Sequence, residues 1–286
     1  MRVQVNQYTS PVLSLKSEDT VNDALFLMQK NDVKRIVIVE NNYPVGIVTE
    51  RDIGKFLEYD KTSRSLDKIK LDEIMSQNLV TISSENDDIA MQSAIRMATF
   101  QISSVIVIGN DGKLVGIVTK SDLARNFGNL FGKTYKVTDY MSKRIITCRK
   151  SDSLIFALDM LNRNKISRLI VTDNEGKSVG VITYDTFMRN SAFFKAEKST
   201  RDYLLPSIKA KEMKVGDVIG NELLTVESEE DLATAAKLMT KFKVSGIPVV
   251  DSQGSLEGII SSSDIVRAYS EVETHFRLIK KDTHFD

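Results

Sequence analysis

The chain has 286 residues, with 39 basic against 39 acidic side chains, 42% hydrophobic and 27% charged residues, a composition typical of ordinary globular domains. That balance excludes the net positive field that would hold nucleic acid or an anionic membrane. No run approaches the roughly 18 to 20 consecutive apolar residues of a membrane helix, and the N-terminal MRVQVNQYTS has no apolar signal region, so a cytoplasmic location is expected.

In chain order, residues 12–15 predict a short strand, and Ser17 to Thr20 supply turn and cap residues. Val21, Ala24, Leu25 and Met28 form the face of an amphipathic helix. Arg35 to Val39 (RIVIV) predicts a second strand, and Asn41 to Pro44 a turn into a third, ending in VGIVTERD at Val45 to Asp52. The order strand, helix, strand, strand, helix then returns. A second copy has a strand at 79–82, a helix carrying Ala90, Ala94 and Met97, a strand at 105–108, an Asp111-Gly112 turn and VGIVTKSD at 115–122. A third runs from a strand at 145–148 through Leu154, Ala157, Leu158 and Leu161, a strand at 169–171 and the turn Asn174, Glu175, Gly176 to VGVITYDT at 179–186. The fourth has a strand at 223–226, then Leu232, Ala235, Ala236 and Met239, a strand at 247–250, a Gln253-Gly254 turn and EGIISSSD at 257–264.

Register is kept throughout. Leu25, Ala94, Leu158 and Ala236 each stand three residues before Met28, Met97, Leu161 and Met239, and eight before Val33, Ile102, Ile166 and Val244. These columns read as core. A further echo precedes three copies, as LDEIMS at 71–76, VTDYMS at 137–142 and VGDVIG at 215–220, with VNQYTS at 5–10 as a worn first version. These lead-in segments are expected to tie each copy to a neighbour. Residues 58–70 and 129–136 read as connectors, and the insertion at 190–213 carries Phe193, Phe194, Tyr203, Leu204 and Leu205, either a helix extension or a partner-binding surface. A unit of about 60 residues buries little core alone, so pairing is expected.

Each signature carries a hydroxyl (Thr49, Thr119, Thr183, Ser261), and three of the four have an Asp three positions later (Asp52, Asp122, Asp264). This combination suits a helix start, with the carboxylate completing a capping box. It equally suits a ligand: a helix N-terminus offers unpaired N–H groups to a phosphate, an Asp one turn on can accept from ribose hydroxyls, and the Gly permits close approach. The residue pattern leaves both readings open.

Taken together, the four in-register copies resemble CBS (cystathionine β-synthase) domains arranged as two tandem pairs, or Bateman modules. The match rests on the strand containing Ser14, Thr81, Thr147 or Thr225, the Ala and Met columns, the strand after the helix and the closing signature. The resemblance implies an α+β fold of four βαββα units in two pseudo-twofold pairs: residues 1–130 (units about 3–60 and 69–130) and 131–275 (units about 134–195 and 212–275), then a tail at 276–286. It also implies regulatory binding of AMP, ADP, ATP or S-adenosylmethionine, with Asp on ribose and Thr or Ser toward phosphate. Sites are expected at Thr49 and Asp52, Thr119 and Asp122, Ser261 and Asp264, and at Thr183, whose copy has Thr186 in place of Asp and should bind poorly. Ser14, Thr81, Thr147 and Thr225 are the adenine-side candidates. Candidate phosphate contacts are Arg35, Arg51, Lys120, Arg168, Arg189 and Arg267.

The expected role is a stand-alone sensor in which nucleotide shifts module orientation for an unidentified protein target, with a homodimer as one assembly. The alternative is a structural assembly module whose signatures only cap helices. No enzymatic role, required cofactor, metal or nucleic acid is expected: Cys148 stands in the apolar stretch IITC, excluding a disulfide and reading as buried, while His275 and His284 have no ligand-spaced partner.

Overall fold

The protein is described from a computed structural model. It covers residues 12–59, 64–189, 213–220 and 223–282, with backbone alone at 57–59, 188–189 and 273–282. The expectations for residues 5–10, for the aromatic-bearing insertion and for the side chains of Arg189, His275 and His284 lie outside this description.

Four three-stranded sheets are present, one per copy. The first copy is β1 (Ser14–Leu15), α1 (Val21–Asn31), β2 (Arg35–Glu40), β3 (Tyr43–Thr49) and α2 (Glu50–Tyr59). The second is β4 (Thr81–Ser83), α3 (Ile89–Phe100), β5 (Ser104–Ile108), β6 (Leu114–Thr119) and α4 (Lys120–Leu130), followed by the short α5 (Val137–Tyr140). The third is β7 (Thr147–Arg149), α6 (Leu154–Arg163), β8 (Arg168–Thr172), β9 (Ser178–Thr183) and α7 (Tyr184–Arg189). The fourth is β10 (Val226–Glu227), α8 (Leu232–Lys241), β11 (Gly246–Val250), β12 (Leu256–Ser261) and α9 (Ser262–Asp282).

In each sheet the first strand runs parallel to the second and the third antiparallel, with a bulge at the equivalent point of every hairpin. The first strands form two or three residues later than the apolar pattern suggests, because the parallel ladder closes only at Ser14, Thr81, Thr147 and Val226. The first hairpin turns on Asn41 and Asn42, with φ of 51° and 69°. Tyr43 and Pro44 therefore belong to β3, and two left-handed residues give the tight turn whose twist matches the strands.

Thr20, Asp88, Ser153 and Asp231 cap α1, α3, α6 and α8 by accepting from backbone N–H groups. Of the expected columns, Val21, Ala24 and Met28, Ala90, Ala94 and Met97, Leu154, Ala157 and Leu161, and Leu232, Ala235, Ala236 and Met239 are buried, Leu25, Leu158, Val33, Ile102 and Ile166 are half-buried, and Val244 is exposed, so the last column lies at the rim of the core. The segment at 58–70 is more than a connector in its described part: Leu66 and Ile69 are buried in the first copy's core.

The chain divides into two compact units, each built from alternate copies. In one, comprising 79–144 and 224–282, helix α4 packs on α8, and α9 packs on α3 and α4. A single hydrophobic core runs through both copies. Phe127 lies at its centre, with ring centroids 5.0 Å from Phe131 and 6.2 Å from both Tyr135 and Tyr269. Gly128 permits the approach of α4 to α8, since a Cβ there would stand 3.0 Å from Lys237 Cγ and 3.3 Å from the Ala233 carbonyl oxygen.

The other unit comprises 13–78 and 145–220, where α2 meets α7. Among the described residues its first and third copies have separate cores. The lead-in segments are placed consistently. Residues 71–76 lie on the first copy's sheet through reciprocal Ile47 and Ser76 bonds, 137–142 lie on the fourth through Ser142 and Ile259, and 215–219 lie against Gly180 of the third.

Candidate functional site

Every signature turn is a strand end passing directly into a helix. In the second copy Asp122 Oδ2 accepts from the Thr119 backbone N–H at 2.9 Å and from its hydroxyl at 2.6 Å, and Thr119 Oγ1 accepts from the Asp122 N–H at 3.3 Å. The first copy repeats this with Thr49 and Asp52 at 3.0, 2.6 and 3.3 Å. In the fourth, Asp264 Oδ2 accepts from Ser261 N at 2.9 Å and from its hydroxyl at 2.7 Å. In the first and second copies these are the reciprocal bonds of a capping box, and the fourth has its carboxylate half, so a structural role is filled.

The third copy separates the cap from the carboxylate. There the Thr183 N–H donates to Thr186 Oγ1 at 3.1 Å, so a single hydroxyl takes the backbone bond that Asp takes elsewhere. A carboxylate brings a charge and a second oxygen beyond that need. In the second and fourth copies this second oxygen faces an arginine one turn on: Asp122 Oδ1 is 3.3 Å from Arg125, and Asp264 Oδ1 is 3.6 Å from Arg267. The Asp122 side chain is only 2% exposed and Asp264 18%. Burying such a charge without a partner would be costly, and these bonds remove that cost.

Within each unit two signature turns are brought together. Lys120, first residue of α4, donates to Ser263 Oγ on the opening turn of α9 at 2.8 Å. In the other unit Arg51 on α2 donates to the carbonyl of Lys165 at 3.1 Å, and its Nε is buried with no hydrogen-bond partner. Arg35 stands opposite Thr49 in the β2–β3 ladder and Arg168 opposite Thr183 in β8–β9. The same column holds Ser104 and Gly246 opposite Thr119 and Ser261. The guanidinium candidates of this column thus belong to one unit, while the other has the Ser104 hydroxyl and a glycine in the column, with Lys120 nearby on α4.

Of the adenine-side candidates, Ser14, Thr81 and Thr147 open their parallel strands and Thr225 immediately precedes β10. Ser14 and Thr147 are exposed, Thr81 and Thr225 half-buried. Three of the signature glycines have a packing role of their own. A Cβ at Gly46 would collide with the Met75 side chain, at Gly258 it would lie 2.9 Å from Met141 Sδ, and at Gly180 it would lie 3.0 Å from Ile219 Cδ1. They make room for the lead-in segments, and the apolar residue before Ser76, Ser142 or Gly220 was the signal for it.

Arg267 is engaged with protein groups. It donates to the Tyr140 carbonyl at 2.6 Å and its guanidinium lies 5.5 Å from the Tyr140 ring centroid. Tyr140 donates to Glu271 at 2.9 Å. Burial, then the bond to Glu271, holds its phenol well above the usual range. Arg125, Ser263 and Tyr140 were missed from sequence, although the Asp-x-x-Arg spacing at 122–125 and 264–267 was there to be read.

Cys148 is 3% exposed, and burial pushes its thiol up to about 12, with Asp152 adding to the effect. Such a thiol is not a nucleophile at neutral pH. Among the described residues no cluster of three or more His, Cys, Asp or Glu could hold a metal, and no described helix is long and apolar enough to cross a membrane.

The CBS domain profile matches residues 5–59, 71–129, 137–192 and 215–271, which together make up most of the chain. The chain belongs to the CBS domain family. It is similar to the protein MJ1404 of Methanocaldococcus jannaschii, at 25% identity over 282 residues, covering 96% of this chain and 64% of that protein; the chain thus spans a little under two thirds of this relative. It is also similar to MJ1225 of the same organism, at 23% identity over 94% of this chain and 99% of that one. The crystal structure of MJ1225, described as a proposed archaeal homolog of g-AMPK, superimposes with a TM-score of 0.77 at 21% identity, over 93% of this chain and 100% of that chain. The likeness is one of fold. The inosine-5'-monophosphate dehydrogenase of M. jannaschii is 29% identical over 136 residues, which are 48% of this CBS protein and 26% of that enzyme.

Proposed function

We propose that this CBS protein is a regulatory sensor that binds adenine nucleotides, or a related adenosyl ligand such as S-adenosylmethionine, at its signature turns. Asp52, Asp122 and Asp264 receive the ribose hydroxyls, and Thr49, Thr119 and Ser261 face phosphate. The observation that carries this reading is the third copy, where Thr186 meets the backbone N–H without a carboxylate. Three copies therefore carry an acidic group beyond what that bond requires, and a carboxylate with one oxygen fixed by the box presents the other in a defined direction.

Arg35, Arg51, Arg168 and Arg189 are the proposed phosphate side of the first and third copies, and Lys120 that of the second. Ser14, Thr81, Thr147 and Thr225 flank the base. The proposed pairs are sequential, residues 1–130 and 131–275. Support comes from the lead-in segments, since 137–142 ahead of the third copy lies on the fourth copy's sheet and 215–219 ahead of the fourth lies on the third. Signalling needs only that ligand favour one arrangement of the modules, and its size is bounded by that difference in affinity. A separate protein target reads the change, and the chain performs no chemistry of its own.

Calorimetric titration of the full chain with AMP, ADP, ATP and S-adenosylmethionine tests this, with Asp122→Ala as control. Heat from at least one ligand, reduced in the variant, is the expected result; no heat at millimolar concentration refutes it. The completed capping boxes favour a second reading, a structural module without ligand. In that case Asp52→Asn lowers the melting temperature equally with and without AMP, because a real ligand raises the midpoint by mass action.

A further inference from the structure

A line of contacts runs from the fourth signature to the segment that leads into the third copy. Ser261 fixes Asp264 Oδ2, Asp264 Oδ1 faces Arg267 at 3.6 Å, and Arg267 donates to the Tyr140 carbonyl at 2.6 Å while lying over the Tyr140 ring. Tyr140 in turn donates to Glu271, one turn beyond Arg267 on the same helix. Around these groups is a surface recess of about 420 Å³ lined by Tyr135, Asp139, Tyr140, Arg267 and Glu271. The segment bearing Tyr140 is held to the fourth copy by Val137 N to Glu230 O at 2.9 Å, Thr138 N to Ser228 O at 2.8 Å and Ser142 N to Ile259 O at 2.9 Å. Arg267 touches both the signature carboxylate and that segment.

We infer that Arg267 is a positioning residue that couples occupancy of Asp264 to the 136–142 segment, rather than a phosphate contact. This rests on the reading of Asp264 as the ribose ligand. A ribose diol donating to Asp264 Oδ1 competes with Arg267 for the same oxygen, and an Arg267 displaced from Asp264 changes its hold on Tyr140. The segment carries the change onward because it lies between the second copy's last helix and the third copy's first strand. The geometry makes the segment a reporter: the amides of Val137, Thr138 and Ser142 exchange only when their bonds to the fourth copy open.

Hydrogen exchange at Val137, Thr138 and Ser142 in the full chain decides the question without any ligand. The ion pair is half exposed on the arginine side, so Asp264→Asn is expected to speed exchange there about twofold to fivefold. Arg267→Ala, or Arg267→Gln if the alanine variant does not fold, is expected to do the same, and the double variant no more than either single one. Tyr140→Phe, which keeps ring and carbonyl, leaves the Asp264→Asn effect in place. Unchanged exchange in Asp264→Asn, or additive effects in the double variant, overturns the coupling. Millimolar AMP should reproduce the Asp264→Asn effect in the wild type and add nothing in that variant; binding without this change overturns the ribose competition. If AMP does not bind at all, the proposed function fails, while the ligand-free variants still judge the coupling.

Discussion

Lys120 Nζ lies 2.8 Å from Ser263 Oγ, so the opening turns of α4 and α9 share one ammonium group. Two helix N-termini that meet at a cation form a place where an anionic group has donors from both sides. On the proposed reading this ammonium faces the phosphate of a bound nucleotide. Lys120→Ala should then weaken AMP about tenfold, as expected for one charge-assisted bond, and leave adenosine nearly unaffected. Calorimetry with the two ligands checks this, and an equal loss for both would remove Lys120 from the phosphate site.

Gly128 on α4 faces Ala233 and Lys237 of α8 with room for no side chain. Gly128→Leu would place its side chain into the Ala233 carbonyl and Lys237, wedging apart the helices that carry the shared core of the second and fourth copies. Overpacking of this kind costs about 1 to 3 kcal/mol. A lower urea midpoint with an unchanged slope is the expected result, and an unaltered midpoint would show that the helices can separate freely.

The repeat was legible because burial enforces it. Val21, Ala24 and Met28 and their counterparts must face a sheet at helical spacing, and they do. Helix caps were legible for the same local reason. The partnership of alternate copies was not, because Leu123, Ala124 and Phe127 on α4 show an apolar face without showing which helix covers it. The packing role of the signature glycines was hidden for a related reason: the requirement for no side chain is visible in sequence, while the Met75 or Met141 side chain that meets it lies far along the chain or in another copy. At the site, the hydroxyl and carboxylate pairs were found, whereas the commitment of Arg267 to Tyr140 depends on a fold contact 127 positions apart.

Cys148 gives a prediction with a definite sign. Its thiol titrates near 9 in the unfolded chain and is pushed up to about 12 in the fold. Below pH 9 both states hold the proton and the group contributes no pH dependence. Between roughly 9 and 12 the unfolded state has lost it while the folded state has not, so stability falls as pH rises, approaching about 1.4 kcal/mol per pH unit. Cys148→Ala should remove that part of the slope. Denaturation curves at pH 8 to 10.5 test it, and identical slopes for the two proteins would mean that the thiol ionises in place.

The third signature offers a gain of function. Thr186 presents one hydroxyl where the other copies present a carboxylate, and that hydroxyl already accepts from Thr183 N–H. Thr186→Asp can keep this bond through one oxygen and supply the other to ribose, as Asp52 and Asp122 are proposed to do. A charge-assisted bond contributes about 1.5 to 3 kcal/mol, enough to strengthen this turn tenfold or more. Asp also stands favourably in the first turn of a helix, so the change should not lower the melting temperature. The expected outcome is a higher binding stoichiometry for AMP by calorimetry, with the affinity of the existing sites unchanged. If stoichiometry stays fixed while the protein remains folded, the carboxylate is not what distinguishes a binding turn from an empty one, and the three native aspartates revert to helix caps.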